Sequence, residues 1–165
     1  MNFYLIQSAK SHDADAIRAI YNHYVQTTAI SFEEEPISAE EMEERIAKVL
    51  SLNLPWLVAE SPAGLVGYAY ATKWRERHAY RFTAECTVYV APEAVGTGVG
   101  SALYERLFPL LKNQGFHAVI AVVALPNTSS AALHEKFGME QVAHFRQVGY
   151  KFGRWHDVGN WQSTL

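Results

Sequence analysis

Residues 88–101 read Val88-Tyr89-Val90-Ala91-Pro92-Glu93-Ala94-Val95-Gly96-Thr97-Gly98-Val99-Gly100-Ser101. Val88 to Val90 close an apolar strand running from Thr83, and Pro92 stops it because proline has no N–H to give to a ladder. From Gly98 to Gln114 leucines recur at helical spacing: Leu103, Leu107, Leu110 and Leu111. Pro109 falls inside that pattern and is expected to kink the helix or loosen its last turn. Between strand and helix stand glycines at 96, 98 and 100. Glycine admits φ values closed to other residues and lets a ligand approach the backbone. A helix N-terminus presents unpaired N–H groups and the positive end of the helix dipole. The segment therefore reads as an anion site suited to a pyrophosphate, or, on the plainer reading, as a flexible turn closed by small residues.

Two nucleotide motifs fail here. A phosphate-binding NTPase loop needs a lysine before its closing Ser or Thr, and this segment ends Gly100-Ser101. The dinucleotide fingerprint needs G-x-G-x-x-G after an early strand, whereas this spacing is G-x-G-x-G in mid-chain.

Outward from the segment the chain reads as one domain covering residues 1–165. Its 165 residues are 49% hydrophobic and 19% charged, an ordinary globular balance. The net charge of −3 and the lack of a Lys/Arg run give no reason to expect nucleic acid. One cysteine, Cys86, excludes an intramolecular disulfide and any metal site built on several cysteines. No secretory leader is recognisable at the N-terminus, and no run approaches the roughly 18 apolar residues of a membrane span. A soluble, reducing compartment, the cytoplasm, is the simplest expectation.

The elements follow from periodicity. Phe3 to Ala9 reads as a strand, and Asp13 to Tyr24 as a helix with Ile17, Ile20, Tyr21 and Tyr24 on one face. Thr27 to Ile37 is loop, with Glu33, Glu34 and Glu35 as solvated charge. Ser38 with Glu41 forms a capping box that opens a helix turning Met42, Ile46 and Val49 inward. Trp56 to Glu60 and Leu65 to Trp74 form a hairpin about Ser61-Pro62-Ala63-Gly64. Ala118 to Ala124 is a buried strand. Asn127 to Phe137 is a short helix closed by Gly138. Gln141 to Gln162 makes two strands turning near Gly153. The order β-α-α-β-β-β-α-β-α-β-β is a mixed α/β sheet domain, not a regular βαβ winding.

The motif V-Y-V-x-P followed by G-x-G-x-G-S and a leucine-rich helix resembles the acetyl-CoA-binding motif of the GNAT superfamily. The family pattern Q/R-x-x-G-x-G/A falls on Val95 to Gly100, and Val95 stands where the family carries Gln or Arg. Tyr21 to Val25, Phe32 to Pro36, Pro55 to Glu60, Gly67 to Ala71, Ala79 to Arg81, Glu85 to Pro92, His134 to Lys136 and Lys151 to Gln162 resemble the phosphinothricin and methionine sulfone/sulfoximine N-acetyltransferases. The resemblance spans Asp13 to Gln162. It implies a GNAT fold: a mixed, mostly antiparallel central sheet, splayed mid-way and flanked by about four helices. It implies a homodimer that uses acetyl-CoA, needs no metal, and acetylates the α-amine of a small amino acid.

Roles carry over by resemblance. Glu85 is the base, and its apolar strand neighbours would raise its pKa. Otherwise it is a solvated or arginine-paired carboxylate. The backbone amide after Val88 holds the thioester carbonyl, and Val88, Tyr89 and Val90 run beside the pantetheine arm. Gly96, Thr97, Gly98, Val99, Gly100 and Ser101 hold the pyrophosphate. Asn127 contacts the arm, or serves only as an N-cap. His134 donates to the thiolate or assists deprotonation, or is a structural histidine. Phe32, Arg75, Arg77 and Tyr80 surround the acceptor, the arginines gripping its charged groups. Without the resemblance the loop from Trp74 to Arg81 reads as solvated and basic. Two alternatives stay open: a GNAT enzyme acting on another small amine or a peptide N-terminus, and a non-catalytic acyl-CoA sensor.

Overall fold

The computed structural model describes residues 3–165. The strands are β1 (Leu5–Ser8), β2 (Trp56–Ser61), β3 (Gly64–Lys73), β4 (Thr83–Val90), β5 (Ala118–Leu125), β6 (Glu140–Lys151) and β7 (Arg154–Thr164). The helices are α1 (Ala14–Thr27), α2 (Ala39–Ser51), α3 (Val99–Asn113) and α4 (Thr128–Lys136). The strands form one sheet in the order β1-β2-β3-β4-β5-β7-β6. Only β4 and β5 are parallel neighbours, and the rest pair antiparallel. This is the mixed, mostly antiparallel sheet with four helices that the sequence led us to expect.

Successive side chains of a strand point to opposite faces, so β4 shows where the helices lie. Tyr89 packs against Tyr21 and Tyr24 of α1. Cys86 faces Tyr104 of α3. Helices α1 and α3 therefore cover opposite faces. Helix α2 packs on α1 and β2, and α4 joins α3 through the Tyr104–His134 contact. Ile17, Ile20, Met42 and Ile46 fill one side of the core; Leu103, Leu107 and Leu111 fill the other. These are the helical faces read from periodicity.

Local departures have identifiable causes. β1 begins at Leu5 rather than Phe3. Helix α1 runs three residues past Tyr24, and the Thr27 hydroxyl bonds the His23 carbonyl in its last turn. The Ser38 hydroxyl accepts from the Glu41 amide, but the Glu41 carboxylate turns to Arg45, so only half of the capping box forms. Helix α3 runs through Pro109 to Asn113, close to the expected span of Gly98 to Gln114. Strand β6 slips register between Phe145 and Gly149, where Asp157 of β7 bonds His144 and the Gln147 amide.

Candidate active site

Strands β4 and β5 pair over Thr83–Glu85 and Ala118–Ile120, then part. Their separation opens a cleft of about 680 Å³, walled by Cys86 to Val90 on one side and Ala121 to Ala124 on the other. The Ala91 amide donates to the Val66 carbonyl of β3. By the alternation of an antiparallel pair, the odd-numbered residues of β4 spend their backbone groups on β3, and Cys86, Val88 and Val90 turn theirs to the cleft. The Val90 carbonyl is taken by the Tyr24 hydroxyl at 2.5 Å. What remains past the paired segment includes the N–H donors of Val88 and Val90 and the Val88 carbonyl, facing an open strand position. The amide after Val88, that of Tyr89, faces β3 instead; the donor that meets the cleft is the amide of Val88 itself.

The glycine turn closes one end of the cleft. Gly98 caps α3 with φ 93° and Gly96 has φ 79°, left-handed values that a side chain resists. Gly100 has another reason to be glycine. A Cβ there would lie 2.9 Å from Leu133 Cδ2 of α4, so its absence lets α4 pack against the first turn of α3. Val88, Tyr89, Val90, Gly96, Gly98, Val99, Gly100, Ser101 and Asn127 all line the cleft. Thr97 does not: its hydroxyl donates to the Ala94 carbonyl at 2.6 Å and accepts from Tyr4 at 2.7 Å, which fixes the turn from behind. Asn127 Oδ1 caps α4 through the Ser130 amide, so the N-cap reading holds.

His134 is buried in α4 on the cleft wall. Its Nδ1 faces the Ser130 carbonyl at 2.5 Å, an acceptor only, which places the proton on Nδ1. Nε2 then accepts from the Tyr104 hydroxyl at 2.9 Å, and Tyr104 meets the Cys86 sulfur at 3.5 Å. Burial pushes the imidazole pKa down. Burial thus favours the neutral ring, and both of its nitrogens are engaged within the protein.

Glu85 lies where β4 and β5 part, paired with Thr72 on one side and Ile120 on the other. Being odd-numbered, it points to the α1 face, opposite Cys86. Burial raises its pKa, and the nearby Arg75 guanidinium offsets part of that rise. Arg75 stacks on the Trp74 ring at 4.4 Å. Arg77 and Tyr80 are exposed in the same loop.

No hydrogen bond, ion pair or ring contact among the described residues joins Phe32 to that loop. Its ring rests on Gly149 of β6, where a Cβ would collide with it, and lies 6.1 Å from the His156 ring. The segment that carries it is held by a network the sequence did not suggest. Glu33, expected to be solvated, receives both Arg45 nitrogens, at 3.0 and 2.6 Å, and the Tyr21 hydroxyl. The Arg45 guanidinium holds the Glu33 carboxyl below the usual carboxylate range. Burial, reinforced by Glu33, pushes the Tyr21 phenol up to about 12. Lys151, 1% exposed, donates to the carbonyls of Val25 and Ser31 at 2.6 and 2.7 Å. That buried ammonium ties β6 to the end of α1 and to the residue before Phe32. Lysine is almost never fully buried unpaired, and no charge pattern in the sequence singled it out.

Among the described residues no cluster of three His, Cys, Asp or Glu side chains could hold a metal ion, and no helix is long and apolar enough to cross a membrane.

Comparison with known proteins agrees with this geometry. Residues 6–159 match the acetyltransferase (GNAT) domain family. The phosphinothricin N-acetyltransferase of Alcaligenes faecalis is 46% identical over 161 residues, covering 97% of this chain and 82% of that one. The L-methionine sulfoximine/L-methionine sulfone acetyltransferase of Salmonella typhimurium is 35% identical, covering 97% and 94%. Among solved structures, a GNAT phosphinothricin acetyltransferase of Sinorhizobium meliloti in complex with acetyl-CoA superposes with a TM-score of 0.94 at 36% identity, over 98% of this chain and 88% of that one. With a family match over most of its length and relatives of this identity and coverage, the chain belongs to the GNAT acetyltransferase family.

Proposed function

We propose that the protein transfers the acetyl group of acetyl-CoA to the α-amine of a small amino acid of the phosphinothricin or oxidised-methionine kind. One observation carries the reading. Val88 and Val90 offer unpaired amides to the cleft, while Glu85, from the same strand, faces the other side of the sheet at the point where β4 and β5 separate. A thioester entering from the α3 side can then meet an amine held on the α1 side.

The steps follow from the groups present. The pantetheine arm completes the open strand position beside β4. The Val88 amide donates to the thioester oxygen and stabilises the charge that develops there. Glu85 removes a proton from the ammonium, directly or through water, and its raised pKa suits it to a base working near neutrality. Arg75 and Arg77 bind the carboxylate and the phosphinate or sulfone head, with Tyr80 and Phe32 as walls. The freed amine attacks the thioester carbon, the C–S bond breaks as the N–C bond is kept, and the second proton shed by the nitrogen goes to the departing CoA thiolate; His134, bonded to Ser130 and Tyr104, serves as part of the Cys86–Tyr104–His134 chain rather than as that proton's donor.

We propose further that the active form is a homodimer in the cytoplasm. Val142, Phe145, Val148 and Tyr150 leave an apolar run exposed on the edge strand β6, a surface that a second copy would cover. Light scattering tests this, and a monomer at micromolar concentration contradicts it.

Release of free CoA from acetyl-CoA, measured with a panel of amines, tests the activity. Turnover with phosphinothricin or methionine sulfone supports it, and their kcat/KM ratio ranks the two. Turnover only with polyamines or peptide N-termini, or tight acyl-CoA binding with no turnover, overturns it.

A further inference from the structure

The cleft wall carries one formal charge among the described residues. None of its lining side chains is a carboxylate or an arginine, and the single cation is Lys136, the last residue of α4. Its ammonium donates to the Ser101 hydroxyl at 2.8 Å, across the seam where α4 meets the first turn of α3. Close packing of Leu133 against Gly100 brings the two helices together at that point. Lys136 is solvent-exposed and has no carboxylate within ion-pair distance among the described residues, so its charge is not neutralised from within the protein. Val95, 52% exposed, also lines the cleft, at the position where the motif otherwise carries Gln or Arg.

We propose that Lys136 binds the pyrophosphate of the CoA cosubstrate, replacing from α4 the polar side chain that Val95 does not supply. The inference rests on the acetyl-CoA reading above and deepens it. The α3 amides grip a diphosphate through partial charges at fixed positions. A full positive charge beside Ser101 adds long-range attraction for a polyanionic ligand and one charge-assisted hydrogen bond. The pyrophosphate is favoured over the 3′-phosphate because the ammonium is already anchored on the helix turn that follows the two left-handed glycines. Its hydrogen bond to Ser101 holds the long side chain over that turn before the ligand arrives.

Three acetyl donors separate the possibilities: acetyl-CoA, acetyl-dephospho-CoA, which lacks the 3′-phosphate, and acetyl-pantetheine, which lacks both phosphate groups. Lys136→Met keeps most of the aliphatic stem and removes the charge. KM should rise about tenfold for the first two donors equally. It should not change for acetyl-pantetheine, kcat should hold for all three, and Lys136→Arg should restore most of the loss. An equal rise for all three donors would show that Lys136 only staples α4 to α3. A rise with acetyl-CoA alone would move the cation to the 3′-phosphate, and no rise would remove it from the site; each overturns the proposal. Calorimetric binding of CoA, dephospho-CoA and pantetheine to the same proteins measures the same differences independently of catalysis. A wild-type protein that binds CoA without turnover would sink the transferase reading while leaving this one measurable.

Discussion

The two halves of the site are made of different material. On the α3 side it is backbone: the amides of Val88 and Val90, the left-handed Gly96 and Gly98, and the first turn of α3. On the α1 side it is side chains, set on loops and tied by long-range contacts. Glu33 is held by Arg45, Ser31 by Lys151, and Phe32 rests on Gly149. A backbone site depends on the sheet and helix that position it, and the one side-chain charge proposed beside it, Lys136, comes from α4 and not from the turn where Val95 stands. A side-chain site is re-cut by single substitutions, which lets one scaffold serve several amines. Substitutions on each side should therefore move different kinetic constants.

Glu85→Gln gives the largest effect, because it removes the proposed base from the junction of the halves. Turnover should fall by about 10²- to 10⁴-fold while the KM for acetyl-CoA holds within about twofold. Burial raises the Glu85 pKa, so the active carboxylate accumulates only above the usual carboxylate range. The kcat/KM of the wild type should therefore climb with pH along an acid limb displaced upward, and that limb should vanish in the variant. An unchanged profile would remove Glu85 from the chemistry.

Gly149→Val comes next. A Cβ at Gly149 would collide with the Phe32 ring, so the ring must leave its seat. The acceptor KM should rise about tenfold or more, as expected when a loss of roughly 1.5 kcal/mol of apolar contact is felt at the pocket. The acetyl-CoA KM should stay put, and joint movement of both constants would dissolve the contrast.

Arg45→Met tests the loop's anchor with a smaller effect. Arg45 holds the Glu33 carboxyl down, so the pair's stabilisation is present above the ordinary carboxylate pKa and is lost as pH falls through the depressed one. Both partners are about a third exposed, which limits the loss to about 0.5–1 kcal/mol at neutral pH. Urea midpoints of wild type and variant should differ at pH 7 and converge in acid.

Val95→Arg has the smallest consequence. It restores a side-chain cation to the rim of the backbone half. The acetyl-CoA KM should fall about two- to threefold, consistent with a solvent-screened charge, and the acceptor KM should not respond.

The same contrast explains what could be read from the sequence. The glycine turn, the α3 leucines and the apolar β5 are local patterns, and they place the cofactor half without tertiary knowledge. The break between β4 and β5 is not local. It entered only through family resemblance, since Val88 to Val90 alone look like any buried strand. The resemblance also placed Glu85 and the Trp74–Arg81 loop. It did not show that Thr97 faces away from the cleft, that the His134 nitrogens are both engaged, or that the Val88 amide, and not that of Tyr89, faces the cleft. Those depend on strand phase and on hydrogen bonds between residues far apart in sequence, such as Tyr104 with His134. Lys151 and Arg45 escaped for a similar reason. Each meets its partners only after α1, α2 and β6 have come together, and a lone lysine or a helix arginine ordinarily reads as solvated surface.

Amide hydrogen exchange at Val88 and Val90 shows whether the open strand takes the cofactor. Saturating CoA, with no acceptor present, should slow exchange at both amides and leave the backbone of the 74–81 loop exchanging as before. A protein that binds CoA while Val88 and Val90 continue to exchange at their free rates would contradict a cofactor half built from the open strand.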